Sequence, residues 1–263
     1  MHTDSFCWIG HSHISNQDYT NIGPKHIIVS DGCSGSPNTD WGSRFISKAA
    51  EKSLGYFPGE AFALATINEA TKMRMAADLS PMCLDATLLV ATQVDNKIIA
   101  KMYGDGVIIF ITPRGMEVHS LEYIKEAPFY INYLNDKSRL DGFTNHFGFE
   151  QCLTKFTLNN GVIIDDSIDE YSSKEYYSVV APLDTKAVIL MSDGVRSFMK
   201  RVITESSASQ EHVELHIVLE KMLDFKNYFG AFVERRMKKF VKIQMPELGW
   251  QNMDDVSVAG MIL

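Results

Sequence analysis

Acidic residues stand directly beside apolar runs at several points in this sequence, where they could do chemistry. The segments HIIVSDG and VILMSDG each predict a strand that ends in Ser-Asp-Gly and place Asp31 and Asp193 at the strand ends. Asp105 lies between two glycines in KMYGDG, Asp254 precedes the alternating segment VSVAGMIL, and Asp18 belongs to NQD. Carboxylates that converge are costly unless they are solvated, hydrogen-bonded or bound to cations. The pattern therefore suggests a site that holds positive ions.

The ligand types indicate which ions these would be. Carboxylate oxygens without a matching set of His or Cys ligands favour Mg²⁺ or Mn²⁺ over zinc. The four cysteines are scattered and form no CxxC pair. A glycine beside a carboxylate lets the backbone approach closely, so the carbonyl of Gly32 could also be a ligand. A single Asp-Gly at a strand end is more often a plain turn, so the signal is the ordered series.

The elements that must position these residues follow from hydrophobic periodicity. The order of strands and helices predicts an α+β fold with sheets packed between helical layers. The stretch from about 120 to 180 is the least regular and predicts an inserted lobe with short elements. The predicted helices are Asp40–Ser53, Glu60–Met75, Gln210–Leu223 and Lys226–Val241. The predicted strands begin near Phe6, His26, Ala86, Lys97, Gly106, Ala187 and Val256.

Composition narrows the class of protein. The chain has 263 residues, of which 45% are hydrophobic and 22% charged, which is enough apolar material for a sizeable core. The net charge of −8 disfavours general nucleic-acid binding. No apolar run reaches the length of a membrane span, and the first residues do not resemble a signal peptide. We expect a single cytoplasmic domain over residues 1–263, monomeric and without membrane or nucleic-acid partners.

The order of the motifs (NQD, strand-SDG, GDG, strand-SDG, then DD before the last strand) resembles the metal-dependent type 2C protein phosphatase family, in its bacterial form. The resemblance extends from about Cys7 to Leu263 and is weakest between about 120 and 180. It implies a four-layer αββα sandwich, in which two central, mostly antiparallel sheets are flanked by helices. It also implies that the lobe at about 120–180 is a flap beside the active site, where aromatic residues such as Phe129 and Tyr130 are expected to pack the lobe.

The resemblance implies a role for each motif residue around two ions of Mn²⁺ or Mg²⁺, with a weaker third. Asp31 would bridge the two metals, and Asp193 and Asp254 would complete one metal site. Gly32 would provide a carbonyl ligand, Asp18 would be the acidic residue near the metals, and Asp105 would bind the third metal.

Two positions depart from the family pattern. His13 stands where the family usually has an Arg that holds the substrate phosphate, and His offers fewer donors than Arg. Phosphate binding should therefore be weaker, or be rescued by a neighbour such as His11. Asp255 stands where the family commonly has Asn, and it could bind a metal or face solvent.

The activity that the resemblance implies is hydrolysis of phosphoserine or phosphothreonine in a phosphorylated protein, by in-line attack of a hydroxide bridging the metals. The replacement at His13 motivates an alternative, a catalytically weak pseudophosphatase that acts as a binding or regulatory module. Hydrolysis of a small phosphorylated metabolite is a third hypothesis. Separately, HVELH would place His212 and His216 on one helical face, where we expect a solvated surface rather than a metal site.

Overall fold

Fifteen strands form three antiparallel sheets in the part of the chain that the structure, a computed structural model, describes: residues 1–123, 125, 127–172, 175–203 and 208–263. In chain order the strands are β1 (His2–Trp8), β2 (Tyr19–Gly23), β3 (His26–Ser30), β4 (Leu88–Val94), β5 (Lys97–Tyr103), β6 (Gly106–Thr112), β7 (Gly115–Tyr123), β8 (Glu150–Asn159), β9 (Val162–Ser172), β10 (Tyr177–Val180), β11 (Ala187–Met191), β12 (Phe198–Ile203), β13 (Ala208–His212), β14 (Trp250–Asn252) and β15 (Val256–Ile262). The large sheet has the order β1-β15-β11-β6-β7-β8-β9, the second β10-β5-β4-β3-β2, and the small one β13-β12-β14.

Helices cover the outer faces of the two larger sheets. They are α1 (Thr39–Ser53), α2 (Ala61–Ala76), α3 (Lys137–His146), α4 (Leu215–Met222), α5 (Phe232–Lys239) and α6 (Met245–Glu247). Short 3₁₀ turns occupy Leu54–Tyr56, Pro81–Leu84, Ile131–Asn135 and Asp193–Arg196, and a π-helical segment occupies Phe240–Gln244. No helix within the described residues is long and apolar enough to cross a membrane.

Alternation of side chains along the buried strands creates the layers. In β11, Val188 and Leu190 point into the core between the two larger sheets, while Ile189 and Met191 point to the helices on the other side. Because successive side chains of a strand face opposite ways, a strand that is apolar throughout must be covered on both faces. The expected four-layer αββα sandwich is confirmed.

Each outer face is closed by its own helices. α1 and α2 cover the five-stranded sheet through residues such as Ile46, Phe62 and Ile67. α4 and α5 cover the seven-stranded sheet through residues such as Leu219 and Phe232. The sequence predicted a helix at each of these four places from its apolar spacing.

Strand register brings the acidic loops to one end of the sandwich. In the large sheet the last residue of β11, Met191, pairs with the start of β6 and the start of β15. In the second sheet the last residue of β3, Ser30, pairs with the first of β2, and the last of β5, Tyr103, pairs with the first of β4. The loop residues next to these strand termini therefore meet at one end of the sandwich.

The predicted helix Gln210–Leu223 is wrong over its first residues. Residues 208–212 form β13, which pairs with β12, and α4 begins only at Leu215. His212 thus lies in a strand and His216 in a helix, so the expected shared helical face does not exist. Pairing with the neighbouring strand β12 overrides the local helical periodicity.

Residues 120–180 contribute to both larger sheets. β8 and β9 extend the seven-stranded sheet, β10 forms an edge of the second sheet, and the segment 129–143 packs below α2. Residues 124, 126, 173 and 174 lie outside the described residues. Two polar residues of this region, Asn132 and Arg139, bind the buried carboxylate of Asp85, which also accepts a hydrogen bond from Ser36.

We expect Arg139→Ala to lower the free energy of unfolding by about 3–5 kcal/mol, because it leaves the Asp85 carboxylate buried without its cation. The two guanidinium contacts measure 2.9 and 2.8 Å, and Asp85 is 2% exposed. The matched control is Arg114→Ala, whose ion pair with Asp165 is exposed and should be worth about 0–1 kcal/mol. Urea unfolding of both variants measures the difference, and equal losses would contradict it.

Candidate metal centre

A cavity of about 260 Å³ opens at the end of the sandwich where the acidic loops meet. Carboxylates contribute much of its wall, together with one histidine and several small residues. Its lining consists of His13, Asp31, Gly32, Cys33, Ser34, Thr87, Asp105, Pro128, Tyr130, Asp193 and Asp254. Residues far apart in the chain thus share one small volume.

Hydrogen bonds to the main chain fix the position of Asp31. Thr87 donates its N–H to the Asp31 carbonyl at 2.8 Å and accepts the Asp31 N–H on Oγ1 at 3.2 Å. The Ser30 hydroxyl donates to the Thr87 carbonyl at 2.7 Å, and the Gly32 N–H donates to the Gln17 carbonyl. Because these bonds use the main chain of Asp31, its carboxylate stays available to the cavity.

Asp193 and Asp105 depend on glycines for their placement. Gly194 follows Asp193 in the 3₁₀ turn, and a Cβ atom there would overlap the carbonyl oxygen of Asp255. Asp105 lies between Gly104 and Gly106, which have φ of +92° and +139°. Side chains rarely tolerate these backbone angles, so the Gly-Asp-Gly sequence makes the tight passage from β5 to β6 feasible.

Asp18 lies below the cavity wall rather than in it. It is 4% exposed, and its Oδ2 accepts a hydrogen bond from the Ser192 hydroxyl at 2.7 Å. Ser192 in turn accepts the backbone N–H of Ser257 at 2.9 Å. The serine of the second Ser-Asp-Gly motif therefore connects Asp18 to two strands of the large sheet.

The carboxylates of the site are crowded. Burial, together with the negative charges of Asp18 and Asp193, raises the pKa of Asp31 well above its ordinary value. Burial and then the charge of Asp193 raise the pKa of Asp105, and the same two causes raise the pKa of Asp254. Burial likewise raises the pKa of Asp18. The site concentrates more negative charge than the protein itself compensates.

The donor set fits divalent cations that prefer oxygen. Asp18 Oδ1 and Asp193 Oδ1 are buried and accept no hydrogen bond within the protein. Among the described residues no three His, Cys, Asp or Glu side chains already form a closed group around one point. The carboxylates line an open cavity instead, where cations that carry water ligands could complete the coordination. Orphaned carboxylate oxygens and oxygen-only donors match Mg²⁺ or Mn²⁺.

His13 lies between two carboxylates. Its Nε2 is 3.3 Å from Asp254 Oδ1, and its Nδ1 is 3.0 Å from Asp255 Oδ2, although not in straight hydrogen-bond geometry. Burial lowers the pKa of His13, but the contact with Asp255 and the charges of Asp255, Asp254 and Asp18 outweigh it, so the pKa is raised. His11 is exposed and is not among the described residues that line the cavity.

Asp255 has a role that sequence reasoning missed. It is 1% exposed, so it does not face solvent, and its oxygens accept the backbone N–H groups of Gly10 and Gln17 at 2.7 and 2.6 Å. The carboxylate therefore ties down the loop that carries His13. Nothing in the sequence pattern signals contacts between residues so far apart in the chain.

The structure brings most of the predicted site residues together. Those that line one cavity are His13, Asp31, Gly32, Asp105, Asp193 and Asp254. Thr87, Ser192 and Tyr130 were not predicted as part of the site. Tyr130 lines the cavity while it is 9% exposed, whereas Phe129 is fully buried in the core, as expected of a packing residue.

Comparison with protein-family models matches residues 9–241 to protein phosphatase 2C. The chain belongs to the protein phosphatase 2C family. No curated protein matches the chain in a sequence search. The family was therefore correctly inferred from the order of the acidic motifs.

Solved structures of bacterial phosphatases share this protein phosphatase 2C fold. PppA, a key regulatory component of the T6SS in Pseudomonas aeruginosa, is 14% identical, with a TM-score of 0.55, over 100% of this chain and 97% of that one. The serine/threonine phosphatase Stp1 from Staphylococcus aureus is 13% identical, with a TM-score of 0.54, over 99% and 94%. The catalytic domain of PstP, solved with two manganese ions, is 14% identical, with a TM-score of 0.52, over 98% and 96%. At these identities the likeness is one of fold.

Mn²⁺ should stabilise this member of the protein phosphatase 2C family against heat, because an ion that binds only the folded state favours it. At about 100 times the Kd the gain is about 2.7 kcal/mol, or about 5–11 °C in Tm for a chain of this size. We expect Asp31→Asn to be at least as stable as the wild type in EDTA, since one repelling charge is removed, and to lose most of the gain with Mn²⁺.

Thermal unfolding with EDTA and with Mn²⁺ measures both effects. Asp184→Asn, which changes an exposed carboxylate outside the cavity lining, is the matched control and should behave as the wild type. A full Mn²⁺ gain in Asp31→Asn would contradict the assignment of the site.

Proposed function

We propose that this protein is a Mn²⁺- or Mg²⁺-dependent protein phosphatase that hydrolyses phosphoserine and phosphothreonine. The observation that carries the proposal is the convergence of Asp31, Asp105, Asp193 and Asp254 on one cavity, where burial and mutual repulsion leave negative charge uncompensated. Membership of the protein phosphatase 2C family supports the same reaction.

The residues that would hold the cations are Asp31, the Gly32 carbonyl, Asp193 and Asp254, with Asp105 at a weaker third position. Bound cations supply a water of lowered pKa and positive charge that offsets the charge of the phosphoryl oxygens. Asp18 lies behind these ligands, hydrogen-bonded to Ser192, and supports the position of Asp31.

Side chains of the protein would position the phosphoryl group of the substrate. His13 faces the cavity beside Asp254 and is the basic side chain among the residues that line it. We assign it the binding of a phosphoryl oxygen, with fewer donors than an arginine would offer. Pro128 and Tyr130 form part of the wall of the same cavity.

A phosphorylated protein is the proposed substrate, and the cytoplasm the proposed location. The cavity is small and lined mainly by polar groups, which suits a phosphorylated side chain presented at its mouth. All four cysteines are unpaired, which is the usual state in a reducing compartment.

A catalytically weak pseudophosphatase is the second candidate function, and one observation favours it. Both ring nitrogens of His13 are close to carboxylates, at 3.3 and 3.0 Å, so the ring can be held away from a phosphate. In that case the same cavity would bind metal without turnover.

The direct test is phosphate release from a phosphothreonine peptide by the purified protein, with Mn²⁺ and again with EDTA. We expect release only with metal. Asp31→Asn and Asp193→Asn should each reduce kcat/KM by at least about 100-fold, because even partners one shell further from a metal typically cost about 10–100-fold. Asp184→Asn is the control.

No release from folded protein under either condition would support the pseudophosphatase. Release that survives in Asp193→Asn would refute the assigned site.

A further inference from the structure

Asp255 makes three polar contacts from a buried position: two with backbone N–H groups that donate to it, and one with a ring nitrogen of His13. Its Oδ1 accepts the Gly10 N–H, and its Oδ2 accepts the Gln17 N–H and lies 3.0 Å from His13 Nδ1. These partners belong to the beginning, the middle and the end of one loop. The carboxylate therefore closes the loop 10–17 on itself and contacts the one ring in it that lines the cavity.

A carboxylate suits this position better than an amide. An ionised Asp is an acceptor at both oxygens, whereas an Asn presents one acceptor oxygen and one NH₂ donor. An NH₂ group placed here would face either the Gly10 N–H, or the Gln17 N–H and the His13 ring. One donor would then oppose another in a buried place, where unmade hydrogen bonds are costly.

The contact with Nδ1 also decides which ring nitrogen faces the cavity. A histidine ring held at one nitrogen presents the other, and the partner of the first nitrogen decides where the ring carries its proton. His13 Nε2 lies on the side of Asp254, which lines the cavity, while Nδ1 lies on the side of the buried Asp255. The other ring orientation would turn Nδ1 to the substrate and lose this contact.

We infer that Asp255 is the positioning residue of His13: it anchors the loop 10–17 and orients the ring so that Nε2 meets the substrate phosphoryl group. The inference rests on the proposed function for the role of Nε2, but the orientation itself does not. It explains the two departures from the family pattern as one paired change, since the residues at both positions contact each other.

A double-mutant cycle tests the coupling through kcat and KM for a phosphothreonine peptide with Mn²⁺. We expect His13→Ala and Asp255→Asn each to reduce kcat/KM by about tenfold or more, as loss of an orienting partner typically does. The double variant should be no worse than the poorer single variant, because both changes remove one unit. Losses that multiply would overturn the inference.

A control separates positioning from general loosening of the loop. Gln17→Ala removes the 2.9 Å bond from Gln17 Nε2 to Thr39 Oγ1 but keeps the backbone N–H that Asp255 accepts. We expect a small loss in kcat/KM that multiplies with that of His13→Ala. If Gln17→Ala shows the same non-additive behaviour as Asp255→Asn, the effect is structural and the inference fails.

A measurement without turnover keeps the inference testable if the protein proves inactive or if Asp255→Asn does not fold. The ring ¹⁵N and ¹H spectrum of wild-type protein in EDTA should show a proton on His13 Nδ1, and folded Asp255→Asn should show it redistributed between the two nitrogens. A wild-type ring without a proton on Nδ1 overturns the inference. Absence of metal-dependent turnover with Nδ1 protonated would refute the proposed function alone.

Discussion

Electrostatic repulsion among carboxylates at one end of the sandwich is the constraint on which the rest of this structure depends. The antiparallel register brings these carboxylates together, because the ends of β3, β5 and β11 and the start of β15 all lie at the same end of the sandwich. A fold that buries continuous apolar strands must place its polar turns at the ends of the sandwich. Here those turns carry Asp side chains, and their charge has to be compensated by hydrogen bonds, by protons or by cations.

The buried carboxylates at and near the site differ in how many hydrogen-bond donors surround them. Asp85 and Asp255 are fully buried but have full sets of donors, from Arg139 and Asn132 in one case and from the loop 10–17 in the other. At the site, Asp254 accepts the backbone N–H of Asp255, whereas Oδ1 of Asp18 and Oδ1 of Asp193 are buried without a hydrogen-bond partner. Residues that stabilise the fold and residues that are reserved for ions can thus be distinguished by their partners rather than by their type.

Local patterns predicted the strands and helices that bury one or two faces, and the turns beside them. The Ser-Asp-Gly ends and the helix at Thr39–Ser53 are encoded by neighbouring residues. β13, the true start of α5 at Phe232 and the role of Asp255 were not predictable in this way. β13 forms a hairpin with the neighbouring β12, and this pairing overrides the apolar periodicity. Asp255 contacts Gly10 near the other end of the chain, and a single sequence carries no signal for such a contact.

The fold is shared with bacterial phosphatases at 13–14% identity, so it says little about individual side chains. His13 and Asp255 are the two positions at which the sequence departs from the pattern of the resembled family. Sequence reasoning treated them as two separate departures, one weakening phosphate binding and one adding a spare carboxylate. In the structure the two residues are in contact, and the inferred role of Asp255 is to position the histidine together with the backbone of the loop 10–17.

The most direct test of the account is anomalous diffraction at the manganese edge from crystals of the protein grown with Mn²⁺. We expect two strong peaks in the cavity, both within coordination distance of Asp31 and one also near Asp193 and Asp254, with any third peak beside Asp105. Peaks only at surface carboxylates, or a cavity without manganese at saturating concentration, would contradict it.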